Sequence, residues 1–153
     1  ACSFAQSDGM WILLFYGQKS LLGKKENLVG RLQRGIDEAY NYYLQNFQNR
    51  TELEAFSRLA DLENFRKRPE NEIKSSGYVI DTLETAVWCL ITTDSFSDAV
   101  LKAVNLGDDT DTIGAVTGGL AGLYYGYNAI PAEWIQALQK LDWIEKLLGN
   151  MQV

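Results

Sequence analysis

Gly107-Asp108-Asp109-Thr110-Asp111-Thr112-Ile113-Gly114-Ala115-Val116-Thr117-Gly118-Gly119-Leu120-Ala121-Gly122-Leu123-Tyr124-Tyr125-Gly126-Tyr127 is the stretch on which the reading of this chain turns. After Asp111 it carries neither charge nor proline, and glycines at 114, 118, 122 and 126 recur at helical spacing. Each glycine inside a helix costs about 1 kcal/mol relative to alanine, so the four together cost about 4 kcal/mol. Only close packing offsets that. The pattern predicts a central helix over residues 113–127, with neighbours against its bare face and an acidic loop rigidly placed at its start.

The flanks are helical as well. Downstream, Pro131 stands at a first-turn position, and Trp134, Ile135, Leu138, Leu141, Ile144 and Leu147 follow in register to Leu148. Upstream, Phe96 to Asn105 reads as a short helix closed by Leu106-Gly107, with glycine supplying the left-handed residue of a helix end. Asp81-Thr82-Leu83-Glu84 forms a capping box that opens an apolar helix to about Thr92. Thr51-Glu52-Leu53-Glu54 forms another, and its helix runs until Pro69. Residues 25–47 place Leu28, Leu32, Ile36, Ala39, Tyr43 and Phe47 on one face of an amphipathic helix. Trp11 to Tyr16 is apolar and far too short for a membrane span, so it reads as a core helix. The polar run RKRPENEIK, residues 66–74, is the candidate mobile connection or solvated loop. No strand pattern of useful length appears. The expected fold is all-α, a compact multi-helix single domain over residues 1–153.

At 153 residues, 46% hydrophobic and 22% charged, the chain has material for a real core without metal or disulfides. A formal charge of −6 opposes binding to a phosphate backbone, which excludes nucleic acid as a natural partner. No histidine is present. That removes histidine-based nucleophilic triads, zinc sites and general bases, and leaves carboxylates, hydroxyls or an oxygen-held metal. Cys2 and Cys89 form no CxxC and read as reduced buried thiols of a cytoplasmic protein. With no signal peptide in view, Asn49-Arg50-Thr51 reads as a chance match to a glycosylation acceptor.

Asp108, Asp109 and Asp111, with Thr110 and Thr112, crowd the start of the glycine helix. Two unit charges about 4 Å apart repel by about 4 kcal/mol at an effective dielectric near 20, so compensation is required. Two sources are open. The helix amides and dipole accept carboxylates at a cap, and a hard divalent cation takes carboxylate and hydroxyl oxygens. A calcium EF-hand is excluded, because aligning Asp109 with its first position puts Leu120 where the bidentate acid belongs. The uncharged run also fails as a membrane helix, with Thr117, three tyrosines and Asn128 among its glycines.

Residues 107–115, continuing through Gly118-Gly119-Leu120-Ala121-Gly122-Leu123-Tyr124-Tyr125-Gly126, resemble the C-terminal signature of the ADP-ribosylglycohydrolase family. Ser76-Gly77-Tyr78-Val79-Ile80-Asp81-Thr82-Leu83-Glu84 resembles the segment before that signature, and Ile130-Pro131-Ala132-Glu133-Trp134 the one after. The likeness spans Ser75 to Leu148, and the first half carries no motif. The resemblance implies an all-α enzyme with two divalent cations, magnesium or manganese, that hydrolyses ADP-ribose from a protein side chain or small acceptor. Asp109, Asp111 and Thr112 match the family's metal ligands, and Tyr78 matches a position that lines the ADP-ribose pocket, with a core tyrosine as the alternative. Asp108 falls at a variable position and reads as an outer-shell or capping acid; Trp134, Tyr124 and Tyr125 read as packing. The family's Thr- or Ser-Asp-Asp triplet and its catalytic acid have no match here, since the only adjacent Asp pair is Asp108-Asp109. The expectation is a C-terminal portion of a longer chain, inactive alone, whose partner is the missing N-terminal segment. The alternatives are a non-catalytic module that binds ADP-ribose or a partner, and a structural bundle whose acidic loop is only a cap.

Overall fold

The computed structural model describes residues 27–46 and 51–149, the side chains of Thr51 and Glu52 excepted. Cys2, the Trp11–Tyr16 run, Phe47 and Asn49-Arg50 lie outside the described residues, as does the side chain that would cap at Thr51. The described elements are α1 (Leu28–Asn46), α2 (Thr51–Ala55), α3 (Leu62–Phe65), α4 (Val79–Ile91), α5 (Phe96–Asn105), α6 (Thr110–Tyr125), α7 (Ala132–Gln136) and α8 (Leu141–Gly149), with 3₁₀ turns between several of them. Among the described residues there is no strand, and no helix is long and apolar enough to cross a membrane.

The amphipathic pattern of α1 buries Leu32, Ile36, Ala39 and Tyr43 as its spacing predicts, together with Val29. The single helix expected from Thr51 to Pro69 is instead three short pieces. Asp61 interrupts it, because its side chain accepts the Asn64 N–H and so starts α3 afresh. Phe56, Leu59, Leu62 and Phe65 still reach the core across those breaks. The loop after Pro69 faces solvent but is tied down, with the Trp88 Nε1–H donating to Arg68 O at 3.3 Å and Arg58 to Glu72 O at 3.1 Å.

α4 is the most enclosed helix, buried from Thr82 to Ile91. The capping box expected at its start does not form. The helix begins earlier, at Val79; Asp81 accepts from Ser76 Oγ at 2.6 Å, and Glu84 turns inward to Arg58 Nη1 at 2.7 Å. A tertiary ion pair has taken the glutamate a local cap would use. Burial holds the Glu84 carboxyl above its ordinary value, with Arg58 pulling partly the other way. Cys89 is a buried free thiol, pushed up to about 12 by the same desolvation.

α6 is central, packing on both α4 and α5. Its glycine edge meets α5: methyl groups built on Gly114, Gly118 and Gly122 would lie 2.9, 3.8 and 3.9 Å from Val104, Val100 and Phe96. Contact closer than a methyl tolerates is therefore confined to Gly114. Gly118 and Gly122 have room for one, and Gly126, with φ +84°, is the C-cap rather than an interior residue. The expected four-glycine demand for close packing is corrected to one position.

The tail also differs from expectation. Pro131 precedes α7 as its N-cap, and the single helix to Leu148 is broken at Ala137–Lys140, where Lys140 adopts φ +58°. Trp134 and Ile144 face Phe96, Val100 and Gly118 across an apolar cavity of about 480 Å³. Trp134 packs tilted on Phe96 at 6.1 Å, Tyr124 meets Tyr125 edge-on at 4.8 Å, and Tyr125 Oη donates to Thr93 O. These aromatics pack, as the sequence reading has it.

Candidate metal centre

The acidic loop is built by two left-handed residues in succession, Gly107 at φ +88° and Asp108 at φ +53°. Glycine adopts this region freely, and aspartate is among the few other residues that tolerate it. The turn ends α5 and reverses the chain so that Asp109 arrives as the N-cap of α6.

The second wall of the site is the segment Ser75–Tyr78, which leads into α4. The Asp109 N–H donates to Ser75 O at 3.1 Å, and Ser75 Oγ lies 3.4 Å from both Leu106 O and Asp108 Oδ2. Asp108 is thus engaged by Ser75 and holds the loop; it is not the capping acid of α6. The Asp109 carboxylate lies against the bare Cα of Gly77. Two segments read separately in the sequence meet here.

Asp109 sits where a cap belongs and does not cap: its side chain accepts no hydrogen bond from the α6 amides. The neighbouring Asp111 carboxyl is held below the ordinary aspartate value, first by the Asp109 side chain and then by the N–H groups of Thr112 and of Asp111 itself. Two carboxylates brought together need a proton or a cation between them. Asp111 and Thr112 are exposed, and Asp109 is half-buried.

The donor set of Asp109, Asp111 and the adjacent Thr112 hydroxyl is all oxygen, which suits magnesium or manganese. It is a partial set. Among the described residues no group of three His, Cys, Asp or Glu side chains could hold a metal ion. Tyr78 is 41% exposed at the N-cap of α4, with its N–H donating to Ser76 Oγ at 3.2 Å, so it is not a core tyrosine. Gly77 was not singled out by sequence reasoning; its signal was a lone glycine just before a helix.

The described residues form an all-helical bundle that presents an oxygen-only acidic pair at the start of a glycine-rich central helix. The family model of the ADP-ribosylglycohydrolases matches residues 12–152, and the chain belongs to that family. The match reaches well into the first half, beyond the Ser75 to Leu148 span that the motifs mark.

Among its relatives, the ADP-ribosylarginine hydrolase Tri1 of Serratia proteamaculans is 47% identical over 87 residues, which cover 57% of this chain and 24% of the relative. The ADP-ribosyl-[dinitrogen reductase] glycohydrolase of Rhodospirillum rubrum is 44% identical over 69 residues, covering 45% of this chain and 22% of the relative. The human ADP-ribosylhydrolase ARH3 is 26% identical over 145 residues, covering 87% of this chain and 40% of the relative. The chain thus spans well under half the length of each of these relatives.

Proposed function

We propose that this chain supplies part of a metal-dependent hydrolase that removes ADP-ribose from modified arginine side chains. One observation carries the metal reading: Asp109 occupies the cap position of α6, forgoes the cap, and stands against Gly77 next to the oxygens of Asp111 and Thr112. The name of the relative at 47% identity supports arginine as the acceptor.

On this reading Asp109 and Asp111 provide carboxylate oxygens and Thr112 its hydroxyl to two divalent cations, magnesium or manganese. When bound, such cations would supply Lewis-acid chemistry toward the substrate and the attacking water. The residues of this chain do the holding: the Ser75–Tyr78 segment fixes where Asp109 stands, and the packed start of α6 fixes Asp111 and Thr112 relative to it. Tyr78, exposed and next in sequence to Gly77, would line the ADP-ribose pocket on this reading. The remaining ligands and the catalytic acid come from sequence outside this chain, which has no Ser- or Thr-Asp-Asp triplet. The buried thiol of Cys89 suits a reducing, cytoplasmic setting.

A second reading, a non-catalytic ADP-ribose-binding module, draws on the incomplete ligand set among the described residues. An ADP-ribosylarginine peptide incubated with the intact protein separates the two. Hydrolysis predicts release of free ADP-ribose that EDTA abolishes and manganese or magnesium restores. Binding without release would establish the second reading, and release undiminished in excess EDTA would overturn the metal.

A further inference from the structure

Gly77 is not among the residues at positive φ, where Gly107 and Gly126 are found, so a left-handed backbone is not what calls for glycine there. The reason is space. A methyl group built on it would overlap Asp109 Oδ2 outright and lie 3.3 Å from Asp109 Cγ.

The segment that carries Gly77 is fixed from both sides. Ser75 is buried, its carbonyl accepts the Asp109 N–H at 3.1 Å, and its hydroxyl lies 3.4 Å from Leu106 O and from Asp108 Oδ2. On the other side Ser76 Oγ donates to Asp81 at 2.6 Å, and Thr85 Oγ1 donates to Lys74 O at 2.7 Å. Gly77 therefore cannot retreat from Asp109 without breaking contacts to both α4 and the acidic loop.

We infer that Gly77 is a positioning residue for the cation site: its bare Cα is the seat against which the Asp109 carboxylate is set. This rests on the reading that Asp109 is a metal ligand. The physics makes the inference separable from a folding role. When a methyl intrudes at Gly77, the atom in its way is the tip of an aspartate side chain that makes no capping bond, and that tip swings aside at little cost to the fold. The relaxation that spares the fold removes the oxygen from the site.

The test is manganese binding to the intact protein, followed by calorimetry and by the electron paramagnetic resonance of the bound ion, for the parent, Gly77→Ala, Asp109→Ala and the double variant. Gly77→Ala is expected to weaken manganese binding by about 10- to 100-fold, the usual range for a group that orients a ligand. Its metal-free melting temperature should stay close to the parent's. In the Asp109→Ala background the Gly77→Ala change should have no further effect on affinity, since the group it displaces is gone. Unchanged manganese affinity in Gly77→Ala would overturn this inference and leave the metal reading standing. A large fall in metal-free melting temperature would make Gly77 a folding residue and overturn it equally. No binding to the parent would overturn the metal reading and the inference together.

Discussion

Ser95 and Asp109 stand at the same position before successive helices, α5 and α6, and only one of them caps. Ser95 Oγ accepts the Asp98 N–H at 3.0 Å, as Asp61 does for Asn64 at the start of α3. Asp109 makes no such bond, although aspartate is as good a capping residue as serine. A cap satisfied by its own helix is architecture. A cap residue that leaves the helix amides and places its charge beside another carboxylate is held there by something other than helix stability, and at α6 the holding elements are Gly77 and Ser75.

The sharpest way to break this comparison is to delete the acidic pair. Asp109→Ala with Asp111→Ala should reduce divalent-dependent hydrolysis by the intact protein by at least about 100-fold, beyond the effect of losing a group that merely orients a ligand. Turnover at the parent rate would refute the assignment. Stability separates the two cap positions further. Ser95→Ala should cost about 1 kcal/mol in urea unfolding, whereas Asp109→Ala without metal should cost far less, because it removes no cap. Equal losses would place Asp109 among ordinary caps.

A third acid, Glu84, is neither cap nor candidate ligand and is 4% exposed. Its folded pKa is raised by burial, so its protonated form is favoured in the folded state. The stability it contributes is then full below the unfolded value, near 4.5, and is lost as pH rises through the higher folded value. The stability difference between the parent and Glu84→Gln should move in the parent's favour as pH falls through that window. A difference independent of pH there would show that Arg58 cancels the desolvation. The smallest effect is expected at Gly119, which has open space around it within α6. Gly119→Ala should stabilise by about 0.5 to 1 kcal/mol in the same unfolding assay. Destabilisation would mean that the outer face of α6 is covered.

The all-helical class and most core positions of α1 and of the stretch from Phe56 to Phe65 were legible, because apolar residues at helical spacing decide burial wherever one helix presents one face. The breaks were not. Ala137–Lys140 contains neither glycine nor proline, so the turn that divides α7 from α8 leaves no local sign. The Asp81–Glu84 box misled because Glu84 is drawn into the core by Arg58, a residue far away in sequence. At the candidate site, composition and spacing marked the acidic loop from Asp108 to Thr112, and only the family resemblance singled out Asp109, Asp111 and Thr112 within it. That Gly77 abuts Asp109 depends on how α4 and α6 pack, and no local pattern carries that information.

The central claim is that the start of α6 is a cation-binding half-site and not a cap. Calorimetric titration of the intact protein with manganese, beside an Asp109→Asn variant that keeps size and hydrogen-bonding capacity while removing the charge, tests it most directly. The account predicts saturable binding to the parent and binding at least about 10-fold weaker in the variant. Equal affinity in the two proteins, or no heat of binding in either, would contradict it.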